Sequence, residues 1–205
     1  MTAPSPPRLR SHQMPRPTRA SRPVKAAQSP RSPDGYRRRP GVGPHIRSDI
    51  IDVYVFRRAP RSQAARSIQL LQLLRTKPPL DATWHPIMGH IEPAETAVEA
   101  AFRELTEEVG LSPSHPAFIS AWALEQVHPF FIAKINSIVL SPRFAVEVAR
   151  SWTPTLNHEH ARHRWIPYSK IAGSFMWPGQ LAAINELVQM LRPGALAQPL
   201  LRLPR

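Results

Sequence analysis

The sequence contains no cysteine, which excludes disulfide bonds, thiolate metal sites and cysteine nucleophiles. No apolar run approaches the roughly 20 residues that a transmembrane helix requires, and the N-terminus lacks the apolar core of a secretory signal. Acidic residues are also few, with 14 Asp or Glu against 27 Lys or Arg. These absences predict a chain without a membrane segment, and the lack of cysteine fits a reducing, cytoplasmic compartment.

Proline, in contrast, is abundant and unevenly placed. Residues 1–47 contain ten of the 25 prolines and eleven Lys or Arg, but one acid, Asp34. This segment therefore carries +10 of the formal net charge of +13. Because it has almost nothing to bury, we predict that residues 1–47 form a disordered basic tail.

Three hypotheses for this tail stay open at the level of the sequence. A solvated arm would contact nucleic acid non-specifically, by charge alone. An organellar transit peptide would share the Arg- and Ser-rich composition, but the prolines would break its amphipathic helix. The third hypothesis is a start codon assigned too far upstream, because the folded pattern begins abruptly at Ser48.

Residues 48–192 have the pattern of one folded domain with strands and helices in mixed order, and residues 193–205 are predicted to be a C-terminal tail. This mixed order favours an α/β sandwich over a doubly wound parallel sheet. We expect strands at 50–56, 68–74, 84–88, 118–127, 135–148 (interrupted at Pro142) and 164–166, and helices at 95–109 and 177–191.

The helix predicted over 95–109 combines an apolar face with a group of carboxylates. At about 100° per residue, Val98, Phe102, Leu105 and Val109 fall in one sector of the helix. The carboxylate cluster, which consists of Glu104, Glu107 and Glu108, falls together in a different sector. A solvated acidic surface is the competing interpretation of three glutamates taken alone.

A cation among the three carboxylates would relieve their mutual repulsion, which amounts to a few tenths of a kcal/mol per pair on an exposed helix. Ligands that are all oxygen favour a hard ion, Mg²⁺ or alternatively Mn²⁺, over zinc. Arg103 precedes the cluster and can hold one of its carboxylates by a charge-assisted pair.

The surrounding residues match a longer motif without a gap. The motif begins at Gly89, and Glu95 follows after five intervening residues. Seven further residues separate Glu95 from the run Arg103-Glu104-Leu105-Thr106-Glu107-Glu108-Val109-Gly110-Leu111. This segment resembles the signature of the Nudix hydrolase family position for position, which makes a merely solvated acidic surface a poor explanation. The resemblance implies an αβα sandwich around a mixed sheet, and hydrolysis of a diphosphate linkage with a divalent metal.

The resemblance also implies roles for individual residues. Glu104, Glu107 and Glu108 become metal ligands, and the backbone of Gly89 approaches the metal. Catalytic roles fall on Arg103, Glu107 and Glu108. Glu95 braces the loop together with Arg103, and Gly110 ends the helix in a left-handed turn.

Two segments outside this motif resemble one branch of the family, the dATP and dihydroneopterin-triphosphate pyrophosphohydrolases. One segment runs from Trp84 to Glu92, and the other contains Glu159 and His160 followed by Trp165. Glu159 is thus a candidate catalytic residue, as an extra metal ligand or general base. Trp84, Glu159 and His160 are candidates for binding the substrate, although a core position is the simpler interpretation of Trp84.

These observations predict an enzyme that converts a nucleoside or pterin triphosphate to a monophosphate and pyrophosphate. The alternatives within enzymes are a dinucleoside polyphosphate or a 5′-triphosphate RNA end. A non-catalytic regulator with the same fold usually has a degraded motif, whereas the motif here is intact. The sequence leaves the choice between monomer and homodimer open.

Overall fold

The computed structural model describes residues 43–59, 64–78 and 80–204. The structure contains ten strands and three α-helices in these ranges. The strands are β1 (His45–Arg47), β2 (Ile50–Arg58), β3 (Ile68–Arg75), β4 (Trp84–His85), β5 (Ile87–His90), β6 (Phe118–Ala123), β7 (Phe130–Ile132), β8 (Ser137–Val139), β9 (Arg143–Val148) and β10 (His160–Pro167). The helices are α1 (Ala97–Val109), α2 (Pro178–Met190) and α3 (Gln198–Leu201).

A seven-stranded mixed sheet forms the centre of the domain. Five strands lie in the order β10-β3-β2-β9-β6, while β4 pairs with β3 and β5 pairs with β2. The β2–β9 pair is parallel and the other pairs in this sheet are antiparallel. A second sheet has the order β1-β8-β7. The prediction of an α/β sandwich with a mixed sheet is therefore confirmed.

Alternation along β2 divides the interior into two cores. Ile51, Val53 and Val55 belong to a core that also contains the apolar side of α1. Tyr54 and Phe56 point to the opposite face of the sheet and pack in a core with α2. The helices thus cover opposite faces, and we refer to these as the α1 face and the α2 face.

Helix α1 begins and ends with recognisable capping chemistry. The Thr96 side chain accepts a hydrogen bond from the Glu99 backbone N–H, and the Glu99 carboxylate accepts from the Thr96 backbone N–H. Gly110 follows the last turn with φ of 70°, a left-handed conformation that costs glycine little. The helix therefore starts two residues later than predicted.

The boundaries of both predicted tails need correction where the structure describes them. His45–Arg47 is not disordered, because it forms β1 and pairs in parallel with β8. Residues 1–42 lie outside the described residues. At the other end, Leu203 donates a backbone hydrogen bond to the carbonyl of Ala121 and packs on the first core, so the segment after residue 192 is part of the domain. Neither tail boundary could be inferred locally, since both short segments gain their order from pairing with distant strands.

Several elements were predicted with different lengths, and the strand expected at 135–148 is two strands, β8 and β9. Pro86 divides the strand expected at 84–88 into β4 and β5, since proline has no N–H to donate. Strand β6 ends at Ala123 rather than at Val127, and β10 extends the expected 164–166 strand in both directions.

None of the helices in the described part of the chain has the length and apolar character needed to cross a membrane.

Candidate active site

Helix α1 places the carboxylate cluster at its boundary with the sheet. Leu105 and Val109 anchor the helix in the core, and the three glutamates lie beside this apolar side at decreasing exposure. The side-chain exposure is 56% for Glu107, 14% for Glu104 and 4% for Glu108. The cluster therefore leads from solvent into the interior of the domain.

Arg103 connects the acidic residues of the motif to one another. Its Nε donates to Glu95 at 2.9 Å, and its Nη1 donates to Glu104 at 2.9 Å and to Glu107 at 3.2 Å. Its Nη2 donates to the backbone carbonyl of His90 at 2.8 Å. The hydrogen bond from Arg103 holds the pKa of Glu95 below its usual value. This one guanidinium thus fixes the loop relative to the helix.

Gly89 lets Glu104 contact the backbone of the sheet. Gly89 lies in β5 opposite Ile51 of β2. A Cβ at residue 89 would overlap the carboxyl group of Glu104, so any other residue type would displace that carboxylate from its position against the sheet. The glycine of the motif is therefore required here by close approach and not by its backbone dihedral angles.

Glu108 is the most deeply buried member of the cluster. Its Oε2 atom has no hydrogen-bond partner among the described residues. Burial raises the pKa of Glu108 to about 9, and the charges of Glu104 and Glu159 act in the same direction. A buried carboxylate oxygen without a hydrogen-bond partner is costly for folding, which is typical of a residue retained for function.

Two histidines lie beside Glu108. The His160 Nε2 is 3.7 Å from Glu108 Oε2, and the rings of His85 and His160 are 5.4 Å apart. The His85 Nδ1 contacts the Pro86 carbonyl at 2.6 Å, and the His160 Nδ1 contacts the Asn157 side-chain oxygen at 3.1 Å. Burial lowers the pKa of His160 to about 4 and also lowers that of His85. Both rings are therefore neutral near pH 7.

Glu159 brings a fourth carboxylate near the cluster, together with two cations. The Arg75 Nη2 and the Lys77 Nζ each lie 3.6 Å from a Glu159 carboxylate oxygen. Glu159 is close enough to contribute to the pKa values of Glu104 and Glu108. Acidic oxygens and cationic donors thus occur side by side at this edge of the sheet.

The chemistry of these donors fits a hard divalent cation. The carboxylates supply oxygen ligands, Glu108 Oε2 is unpartnered, and Gly89 gives Glu104 the space to approach the backbone. Across the described residues, however, no group of three His, Asp or Glu side chains is already arranged to hold a metal ion. Glu104 and Glu107 instead pair with Arg103. A metal ion would have to compete with Arg103 for these carboxylates.

The structure brings most of the predicted site residues together, with one exception. Gly89, Glu95, Arg103, Glu159, His160 and the carboxylate cluster form one continuous group. Trp84 is separate, because it pairs with Leu74 and points to the α2 face, whereas the next residue, His85, points to the α1 face. There Trp84 lies under the Arg164 guanidinium, at 4.1 Å from its ring centroid.

Three residues of the site were not predicted from the sequence. His85 lies between Trp84 and Pro86, in the segment that leads to Gly89. Its closeness in sequence to the motif glycine was the one local signal that could have placed it in the site. Arg75 is the last residue of β3 and Lys77 lies two residues beyond it. Neither had a local signal, since their proximity to Glu159 depends on the pairing of β3 with β10.

Comparison with known proteins supports the geometric evidence. A family model described as "NUDIX domain" matches residues 50–186. The asymmetrical bis(5′-nucleosyl)-tetraphosphatase of Sus scrofa is 25% identical over 120 residues, which is 54% of this chain and 69% of that protein. The phosphatase NudJ of Escherichia coli K12 is 45% identical over 51 residues, 24% of this chain and 33% of NudJ.

A solved structure extends the comparison at the level of the fold. The dihydroneopterin triphosphate pyrophosphohydrolase of E. coli has a TM-score of 0.54 and 20% sequence identity, covering 67% of this chain and 94% of that chain. At this identity the likeness concerns the fold alone. The chain matches only about a third of the length of NudJ but nearly all of this structural neighbour.

Proposed function

This chain is a pyrophosphohydrolase of the NUDIX domain family, and we propose that it hydrolyses a nucleoside triphosphate or dihydroneopterin triphosphate to the monophosphate and pyrophosphate. Water is added across one phosphorus–oxygen–phosphorus linkage, so that one product carries a single phosphate and the other carries two. The divalent metal that family members generally use is proposed to be Mg²⁺, with Mn²⁺ as the alternative.

One observation carries this proposal, namely the position of the carboxylate cluster near two cationic side chains, Arg75 and Lys77. Glu104 and Glu108 offer oxygen ligands, and Arg75 and Lys77 each lie 3.6 Å from a carboxylate oxygen of the neighbouring Glu159. A polyphosphate complexed with a divalent metal needs both kinds of group, because the metal binds carboxylates and phosphate oxygens while cations bind the remaining phosphate charge.

The proposed roles of the residues follow from their positions. Glu104, Glu107 and Glu108 would hold the metal, Gly89 leaves the space that the Glu104 carboxylate occupies, and Arg103 with Glu95 keeps the loop and helix in register. When bound, the metal neutralises phosphate charge and makes a water molecule more acidic. Glu159 is the candidate for accepting a proton or for further metal contact. His160 positions Glu108 from the side of the sheet.

Dinucleoside polyphosphates are the second candidate substrates. The observation in their favour is the 25% identity to the Sus scrofa tetraphosphatase over 120 residues. Trp84, one of the residues whose sequence context favoured the triphosphate branch, lies on the α2 face, away from the carboxylate cluster. The two candidates differ in their products, since an asymmetrically cut dinucleoside tetraphosphate yields a mononucleotide and a nucleoside triphosphate.

The full chain should be incubated with Mg²⁺ or Mn²⁺ and a panel of substrates. The panel contains dNTPs, NTPs, dihydroneopterin triphosphate, dinucleoside polyphosphates and 5′-triphosphorylated RNA. Chromatography that resolves pyrophosphate, orthophosphate and nucleotides identifies the bond that is cut. We expect pyrophosphate from a triphosphate substrate at the highest kcat/KM.

The matched variants are Glu108→Gln and Glu125→Gln. Both change a glutamate to its amide, but Glu125 is exposed and lies outside the carboxylate cluster. Turnover should be lost in Glu108→Gln and retained in Glu125→Gln. Equal turnover by wild type and Glu108→Gln, or no turnover of any member of the panel, would contradict the proposal. A higher kcat/KM for dinucleoside polyphosphates would favour the second candidate.

A further inference from the structure

The two edges of the large sheet differ in what covers them. At one edge, the C-terminal segment lies along β6, because Arg202 forms a β-bridge with Trp122 and Leu203 donates to the carbonyl of Ala121. At the other edge, β10 pairs with β3 and has no strand on its outer side among the described residues. The side chains and outward backbone groups of β10 are therefore open to a partner.

Three arginines, which we call the edge arginines, lie on both sides of this open strand. Arg162 and Arg164 are two residues apart in β10 and share the α2 face, roughly 7 Å from each other at about 3.3 Å per residue. Trp165 points to the α1 face, where the side chain of Arg57 lies over its ring. Arg162 is exposed, and Arg57 and Arg164 are partly exposed. A ligand in solution can thus reach all three side chains.

The edge arginines have no carboxylate partners in the part of the chain that the structure describes. Five other arginines of the domain do form ion pairs, namely Arg47, Arg58, Arg75, Arg103 and Arg143. Arg57 donates instead to Gln69 and to the Arg150 carbonyl. Arg164 donates to Gln72. Burial lowers the pKa of Arg57, and the charge of Arg150 acts in the same direction. The positive charge of this edge is uncompensated, which indicates an anionic partner.

Two of the edge arginines are held over tryptophan rings. The guanidinium carbon of Arg164 lies 4.1 Å from the centroid of the Trp84 ring, and that of Arg57 lies 4.1 Å from the centroid of the Trp165 ring. Charges that merely protect a sheet edge from pairing need no such support. A supported guanidinium loses less side-chain entropy on binding, and its side away from the indole can stack on a second flat group.

We infer that the β10 edge binds single-stranded nucleic acid, with phosphates on the edge arginines and bases stacked on the Arg164–Trp84 and Arg57–Trp165 pairs. Phosphates supply the missing negative charge and unpaired bases supply the flat groups, so one ligand accounts for both observations. An anionic membrane or an acidic peptide supplies charge without a row of flat groups. Because the arginines lie on both faces of an edge strand, a flexible single strand can follow them, whereas a rigid duplex would contact one face.

This surface does not depend on the activity proposed above, and the experiment excludes that activity. Fluorescence anisotropy measures binding of a labelled oligothymidylate of about ten nucleotides to the full chain. The oligonucleotide has a 5′-hydroxyl end and EDTA removes divalent metal, so the candidate active site has no polyphosphate to bind. We expect saturable binding that weakens with salt, at a slope of about −0.7 per phosphate contact in a plot of log K against log salt concentration.

Matched double variants separate the edge from the basic character of the whole chain. Arg162→Gln with Arg164→Gln removes two charges from the β10 edge, and Lys134→Gln with Arg192→Gln removes two exposed charges elsewhere. The edge pair should weaken binding about tenfold and make the salt slope shallower by about 1.4, the value for two lost phosphate contacts. The control pair should bind within about twofold of wild type. Residues 1–47 are the same in both proteins and cannot produce this difference.

A third pair, Arg162→Lys with Arg164→Lys, keeps the charge but removes the planar group. It should retain the wild-type salt slope and lose part of the affinity, and circular dichroism melting verifies that every variant is folded. Wild-type affinity in the Lys pair would overturn the stacking of bases. The inference as a whole is overturned if the two Gln pairs bind alike, or if a duplex binds as tightly as the single strand. It is also overturned if poly-glutamate distinguishes the two Gln pairs as strongly as the oligonucleotide does.

Discussion

The two faces of the large sheet each bury a carboxylate, and the surroundings of the two groups differ. On the α2 face, Asp52 is 5% exposed and contacts the Arg143 guanidinium at 3.4 Å and the Tyr54 hydroxyl at 3.2 Å. On the α1 face, Glu108 is 3% exposed and its Oε2 has no partner among the described residues. Burial raises the pKa of Asp52 to about 6 but that of Glu108 to about 9.

This difference separates a structural carboxylate from a candidate functional one. Asp52 has a cation, Arg143, and a hydroxyl donor as partners. Arg143 Nη1 also donates a hydrogen bond to the Gly179 carbonyl at the start of α2, so Asp52 and Arg143 together join the sheet to the helix. Glu108 has instead the like charges of Glu104 and Glu159 nearby. A bound cation would lower the pKa of Glu108. The difference between the two faces can be tested by substituting Glu108 on one face and the partners of Asp52 on the other.

The largest expected effect is that of Glu108→Gln on activity. We expect kcat to fall about 10³-fold, equivalent to about 4 kcal/mol, because the amide cannot ligate a divalent cation as a carboxylate does. The metal-free melting temperature should stay the same or rise, since a buried group with unfavourable ionisation has been removed. Steady-state kinetics and thermal melting without metal measure the two quantities. A large loss of stability with unchanged kcat would reverse the roles assigned to the two faces.

Arg143→Gln should show the opposite pattern, a loss of stability with little change in kcat. Removing one partner of a buried ion pair costs about 3 kcal/mol, and Asp52 would be left without its cation. Folding raises the pKa of Asp52 from 3.8 to about 6, so its carboxyl group is ionised at pH 8 and mostly protonated at pH 5. The cost of the substitution should therefore be greater at pH 8 than at pH 5.

Urea denaturation of wild type and Arg143→Gln at both pH values measures this cost. The same pKa shift makes the wild-type contribution of Asp52 decline as pH rises from about 4 to 6, because the folded state binds the proton more tightly in that window. Equal costs at pH 5 and pH 8 would show that Asp52 and Arg143 are not coupled.

Gly89→Ala is expected to weaken metal binding about tenfold while the fold is retained. The added Cβ would displace the flexible carboxyl end of Glu104, and displaced supporting contacts typically cost 10- to 100-fold in metal affinity. Isothermal titration with Mn²⁺ measures the affinity directly. Gly43→Ala is the control, since nothing lies within 4 Å of its added Cβ. Unchanged affinity in Gly89→Ala would exclude Glu104 from the metal site.

The smallest effect is expected for Tyr54→Phe. This change removes the hydroxyl donor to Asp52 but keeps the ring in the core, so stability at pH 7 should fall by about 1 kcal/mol. Activity should not change, because the hydroxyl lies on the α2 face. Denaturation and kcat measured on the same preparation test both statements, and a fall in kcat without a fall in stability would connect this face to the reaction.

Much of the α1 face could be predicted because its signal is local. The spacing of Glu104, Glu107 and Glu108 on one helix, and the positions of Gly89 and Gly110 around it, lie within 23 consecutive residues. Helical periodicity alone brings such residues together. The surroundings of Asp52 could not be predicted in this way, because Arg143 follows it by more than 90 residues and meets it only through the parallel pairing of β2 with β9.

The sequence by itself determined the mixed α/β class, the carboxylate cluster on α1 and the family, because these depend on periodicity and spacing along one segment. The tertiary structure decided which carboxylate has a buried oxygen without a hydrogen-bond partner, and that Arg75, Lys77 and His85 join the site while Trp84 faces away. It also decided that residues 45–47 and the segment after residue 192 belong to the domain. The physical reason is that burial and ion pairing are properties of strand register, and register joins residues that no local pattern relates.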